Sequence, residues 1–356
     1  MRQSPLLSKA RAFAGLLVLA AAAALGGCGS LPQVDNLRDS LKSGRLDLPP
    51  VVELTEVPFF AQEDYQCGPA ALAMVLQASG VKATPEALVE QVYLPAREGS
   101  LQVEMLAAAR RNGRVAYELA ASLPDVLREV AAGNPVIVLQ NTSIRPLPLW
   151  HYAVVVGYDL EKKEILLRSG TRERKHMPFT AFDFFWRDGK YWSMVAMPAE
   201  RLPVTAHEVR YGAAVAAVER LGRITEAQQA YDAMLARWPE SFIALMGLGN
   251  TRYAQGRLTQ AESAFRRATL AKPTDTAAFN NLAQTLADMG QWQEALIPAR
   301  RAVELGGPLV GAARATLQAI EQKIAALPVA PAPAAVPATQ VPAKKSPAKK
   351  KKARKP

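Results

Sequence analysis

The sequence predicts an α+β domain followed by an all-α solenoid of helical repeats. Three observations support this fold class. Between residues 53 and 200, helical patterns come first and strand patterns follow, which is the order of an α+β domain. From 207 to 326 the chain is almost wholly helical, and small residues recur at a fixed period. Polar or Pro-rich stretches at 28–52 and 327–356 mark the limits of the folded part.

In the first domain, ordinary start and stop signals delimit the helices. One helix begins at Cys67, and another is capped by Thr84 and carries Pro85 at its first position. Two further helices end at Gly113 and Gly133. Apolar, β-branched segments then predict four strands, at 135–140, 152–158, 164–168 and 191–197.

The second domain has the period of a tetratricopeptide array. Ala227, Ala261 and Ala295 are spaced 34 residues apart, and aromatic or small residues follow each at equal offsets. A helix–turn–helix unit of this length is the tetratricopeptide signature. We therefore predict three repeats over 207–326, with 309–326 as a capping helix. Such an array is expected to bind a partner protein or an extended peptide, or else only to stabilise the first domain.

The first 30 residues have the features of a bacterial export signal. A basic start is followed by an apolar stretch and then by LGGC at 25–28. This ending resembles a lipobox, in which the cysteine is acylated and becomes the mature N-terminus. We therefore expect a lipoprotein signal peptide at 1–27, lipidation of Cys28 and a tether at 28–52. By resemblance to Gram-negative lipoproteins, Gly29 after the cysteine favours the outer membrane, facing the periplasm.

The composition argues against a nucleic-acid binder. The formal net charge is +11, but eight basic residues lie in the last 13 positions, so the remainder has an ordinary charge balance. The tail at 327–356 is made largely of Pro, Ala and Lys, and we expect it to be disordered. Cys28 and Cys67 each have a role of their own, so no disulfide is predicted. No cofactor and no metal site is predicted.

Cys67 has the sequence context of a catalytic nucleophile. It opens a helix, where free backbone N–H groups stabilise an anion and lower the pKa of a thiol. A thiolate attacks carbonyl carbons at neutral pH. Gln62, five residues earlier, is a candidate donor to the oxyanion, and Gln66 is a weaker one. Gly68 is expected to allow close approach of a substrate backbone.

The general base of such a site is a histidine that lies near the cysteine in space, and the chain has three. His151 begins a strongly apolar strand that would hold its ring rigidly. His176 lies among basic residues, which disfavour an imidazolium. His207 lies at the junction with the repeats. We therefore assign His151 as the base.

These residues resemble a known family. Gln62, the CGPA sequence at 67–70 and the HYAV sequence at 151–154 are similar to the bacteriocin-processing, double-glycine peptidases of the papain-like clan. The resemblance covers residues 53–200. It implies a papain-like cysteine peptidase fold with Cys67 as nucleophile, His151 as base and Gln62 in the oxyanion hole.

The chain departs from the family in two places. The glutamine is usually one residue further from the cysteine than Gln62 is. The family also places an Asp at the end of the strand after the histidine, and this chain has Ser169 there. We assign Ser169 as the orienting residue, because it can accept a hydrogen bond from the ring without supplying a charge. Asn141 and Asp183 are possible substitutes, whereas Asp159 lies in a hairpin turn.

Three functions remain open from the sequence. The first is a thiol-dependent peptidase acting on a peptide or protein in the periplasm, with repeats that recruit a partner or substrate. The second is a catalytically weak or inactive peptide-binding lipoprotein scaffold. The third is a cell-wall peptide hydrolase, which the residues around Cys67 disfavour. An activated Cys67 is expected to react with iodoacetamide at pH 6 faster than a denatured control.

Overall fold

The computed structural model describes residues 31–62, 66–144 and 146–327. The predicted signal peptide at 1–27, the lipidation of Cys28 and the tail after Leu327 lie outside the described residues. None of the helices in the described ranges is long and apolar enough to cross a membrane.

The structure corrects the expected tether. Helix α1, Pro32–Lys42, packs on the first domain. The buried carboxylate of Asp183 accepts hydrogen bonds from the N–H groups of Gln33 and Val34, at 3.0 and 3.1 Å. A carboxylate at a helix N-terminus satisfies free N–H groups and is stabilised by the helix dipole. Because the capping residue lies 150 positions away, no local signal in the sequence predicts this docking.

The four helices predicted for the first domain are present. Thr84 accepts a hydrogen bond from the N–H of Ala87, as the capping signal indicates. A two-stranded ribbon that the sequence did not predict, β2 (Tyr93–Leu94) and β3 (Gly99–Ser100), follows the second of them. The helices are α2 (Cys67–Ala78), α3 (Pro85–Val92), α4 (Gln102–Arg111) and α5 (Leu123–Ala131).

Seven strands form one antiparallel sheet in the order β4-β9-β5-β6-β7-β8, with β1 paired to the end of β6. The sequence predicted four of them and missed β1, β4 and β8. It also missed helix α6, Phe179–Asp188, which follows β8. The strands are β1 (Val51–Glu53), β4 (Val115–Glu118), β5 (Val136–Asn141), β6 (Trp150–Asp159), β7 (Glu164–Ser169), β8 (Arg172–Pro178) and β9 (Ser193–Met197).

Strand β6 lies at the centre of the domain, and both of its faces are buried. Tyr152 and Val154 pack with helix α2 in one apolar cluster. Ala153 and Val155, which alternate with them, pack with α5 and α6 in the cluster on the opposite face. The domain is therefore a three-layer arrangement, with α2 on one side of the sheet and α5 and α6 on the other.

The second domain is a regular helical array, as predicted. Its aligned small residues Ala227, Ala261 and Ala295 are fully buried. Gly249 lies so close to the ring of Phe265 that an added Cβ would be 2.3 Å from it. The helices are α7 (Glu208–Glu219), α8 (Ile224–Arg237), α9 (Phe242–Ala254), α10 (Leu258–Ala271), α11 (Thr276–Asp288), α12 (Trp292–Leu305) and α13 (Val310–Ala325).

The first repeat is joined to the first domain by a shared apolar core. Tyr211 and Val215 of α7 belong to the same cluster as the sheet residues Tyr117 and Val155. The rings of Tyr117 and Tyr211 lie 5.8 Å apart, and the Tyr117 hydroxyl accepts the N–H of His207 at 3.1 Å. The two domains therefore form one continuous packed body at this junction.

We expect opposite effects from two glycine-to-alanine substitutions in the array. Gly249→Ala forces a methyl group into Phe265, so it should lower the free energy of unfolding by about 1–3 kcal/mol. Gly311→Ala meets nothing within 4 Å and lies in a helix, so it should raise stability by roughly 0.5 kcal/mol. Urea unfolding followed by circular dichroism measures both. Equal effects of the two variants would contradict the packing of α9 on α10.

Candidate active site

The structure brings the predicted site residues together around one cavity. Cys67, His151 and Gln62 all line a cavity of about 880 Å³ at the end of the sheet, and Gly170, next to Ser169, lines it too. Of the three histidines, only His151 is among the lining residues. His176 is instead half-exposed on β8, with Nδ1 3.3 Å from the Glu164 carboxylate.

Cys67 is the first residue of α2, but its thiol is largely shielded from solvent. Burial raises the pKa of this thiol above its ordinary value, and this is the largest effect. Backbone hydrogen bonds from Tyr152, Gly68 and Cys67 itself act in the opposite direction and lower it. The net shift is upward, so the predicted lowering of the Cys67 pKa is not what this environment produces. Desolvation outweighs the aligned N–H groups of the helix.

His151 is held by the residue at the end of the next strand. Its Nε2 lies 2.9 Å from the Oγ of Ser169, which is 4% exposed. Burial, together with the smaller effect of the positive charge of Lys175, lowers the pKa of His151 to about 4. The imidazole is therefore neutral at neutral pH, as is the thiol of Cys67. A neutral Cys67 differs from the thiolate that the sequence predicted.

Gln62 binds three segments at once. Its Oε1 accepts the N–H of Gly170 at 2.7 Å, and its Nε2 donates to the carbonyl of Tyr152 at 3.1 Å. A longer contact of 3.5 Å joins Nε2 to the carbonyl of Cys67. The backbone N–H of Gln62 also donates to the carbonyl of Gly170, at 3.0 Å. In this arrangement the carboxamide fixes Cys67, the strand that carries His151 and the end of β7 relative to one another.

The other carboxylates and amides considered for the third position are engaged elsewhere. Asn141 donates to Asp188 at 3.1 Å and accepts backbone N–H groups of the loop after β5. Asp183 caps α1 and accepts the Tyr191 hydroxyl at 3.1 Å. Asp159 pairs with Lys162 in the hairpin turn. Ser169 is therefore the residue that contacts the ring.

The sequence analysis did not single out Ser100, which lines the cavity, or Lys175, whose positive charge acts on His151. The Oγ of Ser100 is buried and has no hydrogen-bond partner among the described residues. It lies against Gly68, where an added Cβ would be 2.3 Å from it. Ser100 belongs to a ribbon without a strong sequence pattern, and Lys175 lies on a charged edge strand, so neither position carried a local signal.

Gly68 is required for packing within the protein rather than only for approach of a substrate. Its Cα faces the side chain of Ser100, which comes from a different element. The same ribbon is tied to the sheet by the Tyr152 hydroxyl, which donates to the Ser100 carbonyl at 3.2 Å. The start of α2 is therefore closely packed on the ribbon beside the nucleophile. No group of three or more His, Cys, Asp or Glu within the described ranges could hold a metal ion.

Comparisons with known proteins match the two domains of the chain separately. Residues 54–193 match the Peptidase_C39 like family, and residues 211–276 and 248–309 match the tetratricopeptide repeat. A comparison with curated proteins found no significant match.

Solved structures resemble one domain or the other. A putative C39-like peptidase from Bacillus anthracis is 17% identical and covers 42% of this chain and 98% of its own, with a TM-score of 0.36. The Yersinia enterocolitica type III secretion chaperone SycD, in complex with a peptide of the translocator YopD, is 19% identical. It covers 32% of this chain and 91% of its own, with a TM-score of 0.30. The Sgt2 tetratricopeptide domain of Aspergillus fumigatus is 20% identical over 37% of this chain and 91% of its own, with a TM-score of 0.31.

The raised pKa of Cys67 predicts how its alkylation depends on pH. In a Cys28→Ala background Cys67 is the only thiol. Because its folded pKa lies above the ordinary value, the thiolate fraction at pH 6 is smaller than in the denatured chain and grows only as the pH rises through that higher pKa. The rate constant for iodoacetamide should therefore be lower than that of denatured protein at pH 6 and should still be rising at pH 9. A rate that is already high and flat between pH 5 and 8 would indicate a preformed ion pair instead.

The contact between Gly68 and Ser100 predicts a compensating pair of substitutions. Gly68→Ala introduces a methyl group against the Ser100 side chain and should lower the free energy of unfolding by about 1–3 kcal/mol. Adding Ser100→Gly removes the opposing atoms, so the double variant should recover much of the stability lost by Gly68→Ala. Thermal unfolding of the two single variants and the double variant measures this coupling. Simple additivity of the two single effects would contradict it.

Proposed function

Because residues 54–193 form a Peptidase_C39-like domain and residues 211–309 form tetratricopeptide repeats, we propose that this protein is a thiol-dependent peptidase acting on a peptide or protein. The observation that carries the proposal is the shared cavity. Cys67, His151 and Gln62 line it together, and Nε2 of the His151 ring is hydrogen-bonded to Ser169. This leaves Nδ1 as the nitrogen that serves the thiol.

Because Cys67 and His151 are both neutral at rest, the thiol proton must move to His151 while the sulfur attacks the substrate carbonyl. The Cys67 sulfur bonds to the carbonyl carbon of the scissile amide while its proton passes to Nδ1 of His151. His151 then gives this proton to the leaving amine as the C–N bond breaks, which leaves a thioester on Cys67. Water attacks the thioester with His151 accepting its proton, and the acid is released with regeneration of the thiol.

The oxyanion formed in each step needs hydrogen-bond donors at the start of α2. The backbone N–H of Cys67 is one, because the first N–H groups of a helix have no partner within the helix. Gln62 is the second. Its contact with the Cys67 carbonyl is long, at 3.5 Å, so exchanging it for the oxyanion costs little, while the bond to Tyr152 at 3.1 Å keeps the carboxamide in place.

The cavity walls suit an extended peptide with apolar side chains. Leu149 and Trp150, which lead into β6, line the cavity and are 62% and 49% exposed. Large apolar side chains exposed beside a cleft are typical of a binding surface. Arg97, Glu98 and Lys190 add charged groups at the rim, so the substrate main chain and polar side chains also find partners there.

The proposed location is the cell envelope, with a lipid anchor on Cys28 and the outer membrane as the expected site. The support is the lipobox-like sequence at 25–28 and the basic, apolar segment before it. Helix α1 begins at Pro32, so the catalytic domain would be held within about 14 Å of the acylated residue. The substrate would then be met at the membrane surface, in the periplasm.

The repeats are proposed to recruit a protein partner or the substrate itself. Solenoids of this kind present an extended surface on which a peptide or a helix can bind. Asn250 and Asn281 lie on the first helices of successive repeats and are joined by a hydrogen bond of 3.2 Å. Asn250 is exposed and Asn281 is half-buried. Amide side chains on such a surface can donate to and accept from a bound backbone.

A catalytically weak or inactive peptide-binding scaffold is the second candidate. Two observations favour it: the thiol and imidazole are both neutral, and the residue that contacts the ring, Ser169, carries no charge. A cell-wall peptide hydrolase is a third candidate, supported by the proposed location alone.

Profiling of cleavage by a fluorogenic peptide library decides between these functions. With the Cys28→Ala protein we expect cleavage that requires Cys67, that falls by roughly 100-fold or more in Cys67→Ala, and that changes little between pH 6 and pH 8, because the thiol and the imidazole are both neutral over that range. Cys67→Ser is the matched control, since it retains shape but is a far weaker nucleophile.

Binding of peptides without turnover in the wild type, at every pH tested, would establish the scaffold and exclude the peptidase. Release of soluble fragments from purified sacculi, lost in Cys67→Ala, would establish the cell-wall hydrolase.

A further inference from the structure

A hairpin at the rim of the cavity carries exposed apolar side chains that the mechanism above does not use. It joins β5 to β6 over residues 142–149. Ile144 is 64% exposed and Leu147 is 72% exposed, and neither is among the residues that line the cavity. Tight turns are ordinarily built from Gly, Pro, Asn, Asp and Ser. Two large aliphatic side chains at the tip of this one therefore call for an explanation.

Hydrogen bonds hold the hairpin in one shape. The N–H of Leu147 donates to the carbonyl of Ile144 at 3.0 Å, which closes the turn at the tip. The N–H of Thr142 donates to the carbonyl of Leu149 at 2.9 Å. At the base, the side-chain oxygen of Asn141 accepts the N–H of Leu149, also at 2.9 Å. Because these bonds fix the backbone, the two aliphatic side chains are presented at the tip instead of being folded into the core.

Phe184 of α6 extends this apolar surface. It is 50% exposed. Asp188, one turn later on the same face of α6, accepts a hydrogen bond from the side chain of Asn141 at 3.1 Å. The guanidinium of Arg187 lies 5.3 Å from the centre of the Phe184 ring, and Lys190, which follows α6, is exposed. The aromatic ring and the hairpin therefore share one end of the domain, with two cationic side chains beside them.

The N-terminal segment reaches the domain at the same end. The carboxylate of Asp183 accepts two N–H groups at the start of α1, which begins at Pro32. Five residues of α6, or about 7.5 Å along its axis, separate Asp183 from Asp188 at the base of the hairpin. The four residue steps from Pro32 back to Cys28 span at most about 14 Å. A lipid on Cys28 would therefore hold the hairpin side of the domain close to a bilayer.

We propose that Ile144, Leu147 and Phe184 form a lipid-binding surface that inserts into the interface of a bilayer containing anionic phospholipid. Aliphatic and aromatic side chains with cations beside them are the combination that binds the boundary between headgroups and acyl chains. Arg187 and Lys190 supply the cations, which attract anionic headgroups. The inference rests on the proposed envelope location for its setting, while the surface itself belongs to the described residues.

A bilayer accounts for this surface better than the peptide substrate does. A peptide bound in the cavity contacts Leu149 and Trp150, which line it, whereas Ile144 and Leu147 lie beyond the lining. Trp150 is half-exposed at the foot of the hairpin, and indole rings favour the membrane–water interface. With the tip inserted, the cavity opens at the membrane surface. The substrate would then be a segment that lies on the bilayer or emerges from it.

The test uses the full mature chain with Cys28→Ala and Cys67→Ala, so that neither acylation nor cleavage contributes. A hexahistidine tag before residue 28 binds the protein to phosphatidylethanolamine vesicles that contain a nickel-chelating lipid and about one quarter phosphatidylglycerol. Leu147→Cys then supplies the only thiol and is labelled with the environment-sensitive fluorophore NBD. We expect its emission to shift to the blue on vesicles and to be quenched by lipids brominated on their acyl chains.

Leu270→Cys is the matched control, because Leu270 is a 75% exposed aliphatic residue on α10 of the repeats. Its fluorophore should show neither the shift nor the quenching. In the chain labelled at position 147, Ile144→Gln should reduce the quenching, whereas Ile297→Gln, at a 77% exposed position on α12, should not. Phosphatidylcholine in place of phosphatidylglycerol should also reduce it, because the cations beside Phe184 lose their anionic partners.

Equal emission and equal quenching at positions 147 and 270 on vesicle-bound protein would overturn the proposal, because the tag secures attachment whatever the strength of the surface. A fluorophore at position 147 that responds to a peptide library but not to vesicles would assign the hairpin tip to the substrate and overturn it as well. The labelled chain lacks both Cys67 and the acyl group. Its result is therefore independent of peptidase activity and of lipidation at Cys28.

Discussion

The carboxamide of Gln62 is the contact on which the candidate site depends. Its oxygen accepts a hydrogen bond from the N–H of Gly170. Its nitrogen donates to the carbonyl of Tyr152 and makes a longer contact with the carbonyl of Cys67. These atoms belong to the end of β7, the start of β6 and the start of α2, which are far apart in sequence. Gln62 bonds the residue next to Ser169 and the residue next to His151, and it contacts the carbonyl of Cys67 itself. One neutral side chain therefore sets the mutual positions of the candidate catalytic groups.

Burial then decides the protonation of those groups. A helix N-terminus favours an anion, yet the Cys67 pKa is raised because loss of solvent is the larger effect. The same loss of solvent, together with Lys175, holds the His151 pKa at about 4. A low local dielectric constant strengthens the hydrogen bonds within a site and raises the free-energy cost of an isolated charge. The arrangement favours chemistry in which charge appears only at the moment of reaction.

The sequence predicted the features that have local causes. The Thr84 cap and the apolar strand after His151 act over a few residues, and the 34-residue period repeats one local helix–turn–helix unit; the structure has all three. Strand β8 was missed because it is an exposed edge strand, whose charged sequence shows no apolar alternation. The docking of α1 on Asp183 and the sign of the Cys67 pKa shift depend on residues brought together by the fold, so no local pattern contains them.

The shared core between the sheet and the first repeat has a mechanical consequence. A repeat array on a flexible linker takes up many positions relative to an active site. A peptide bound to such an array reaches the active site only by diffusion within the range of the linker. Here Tyr211 and Val215 are packed into the same cluster as Tyr117. Such an array is held at a fixed distance from the cleft. If the later repeats bind a chain, as proposed above, that chain would enter the cleft at a fixed number of residues from the bound segment, and this spacing would contribute to substrate selection.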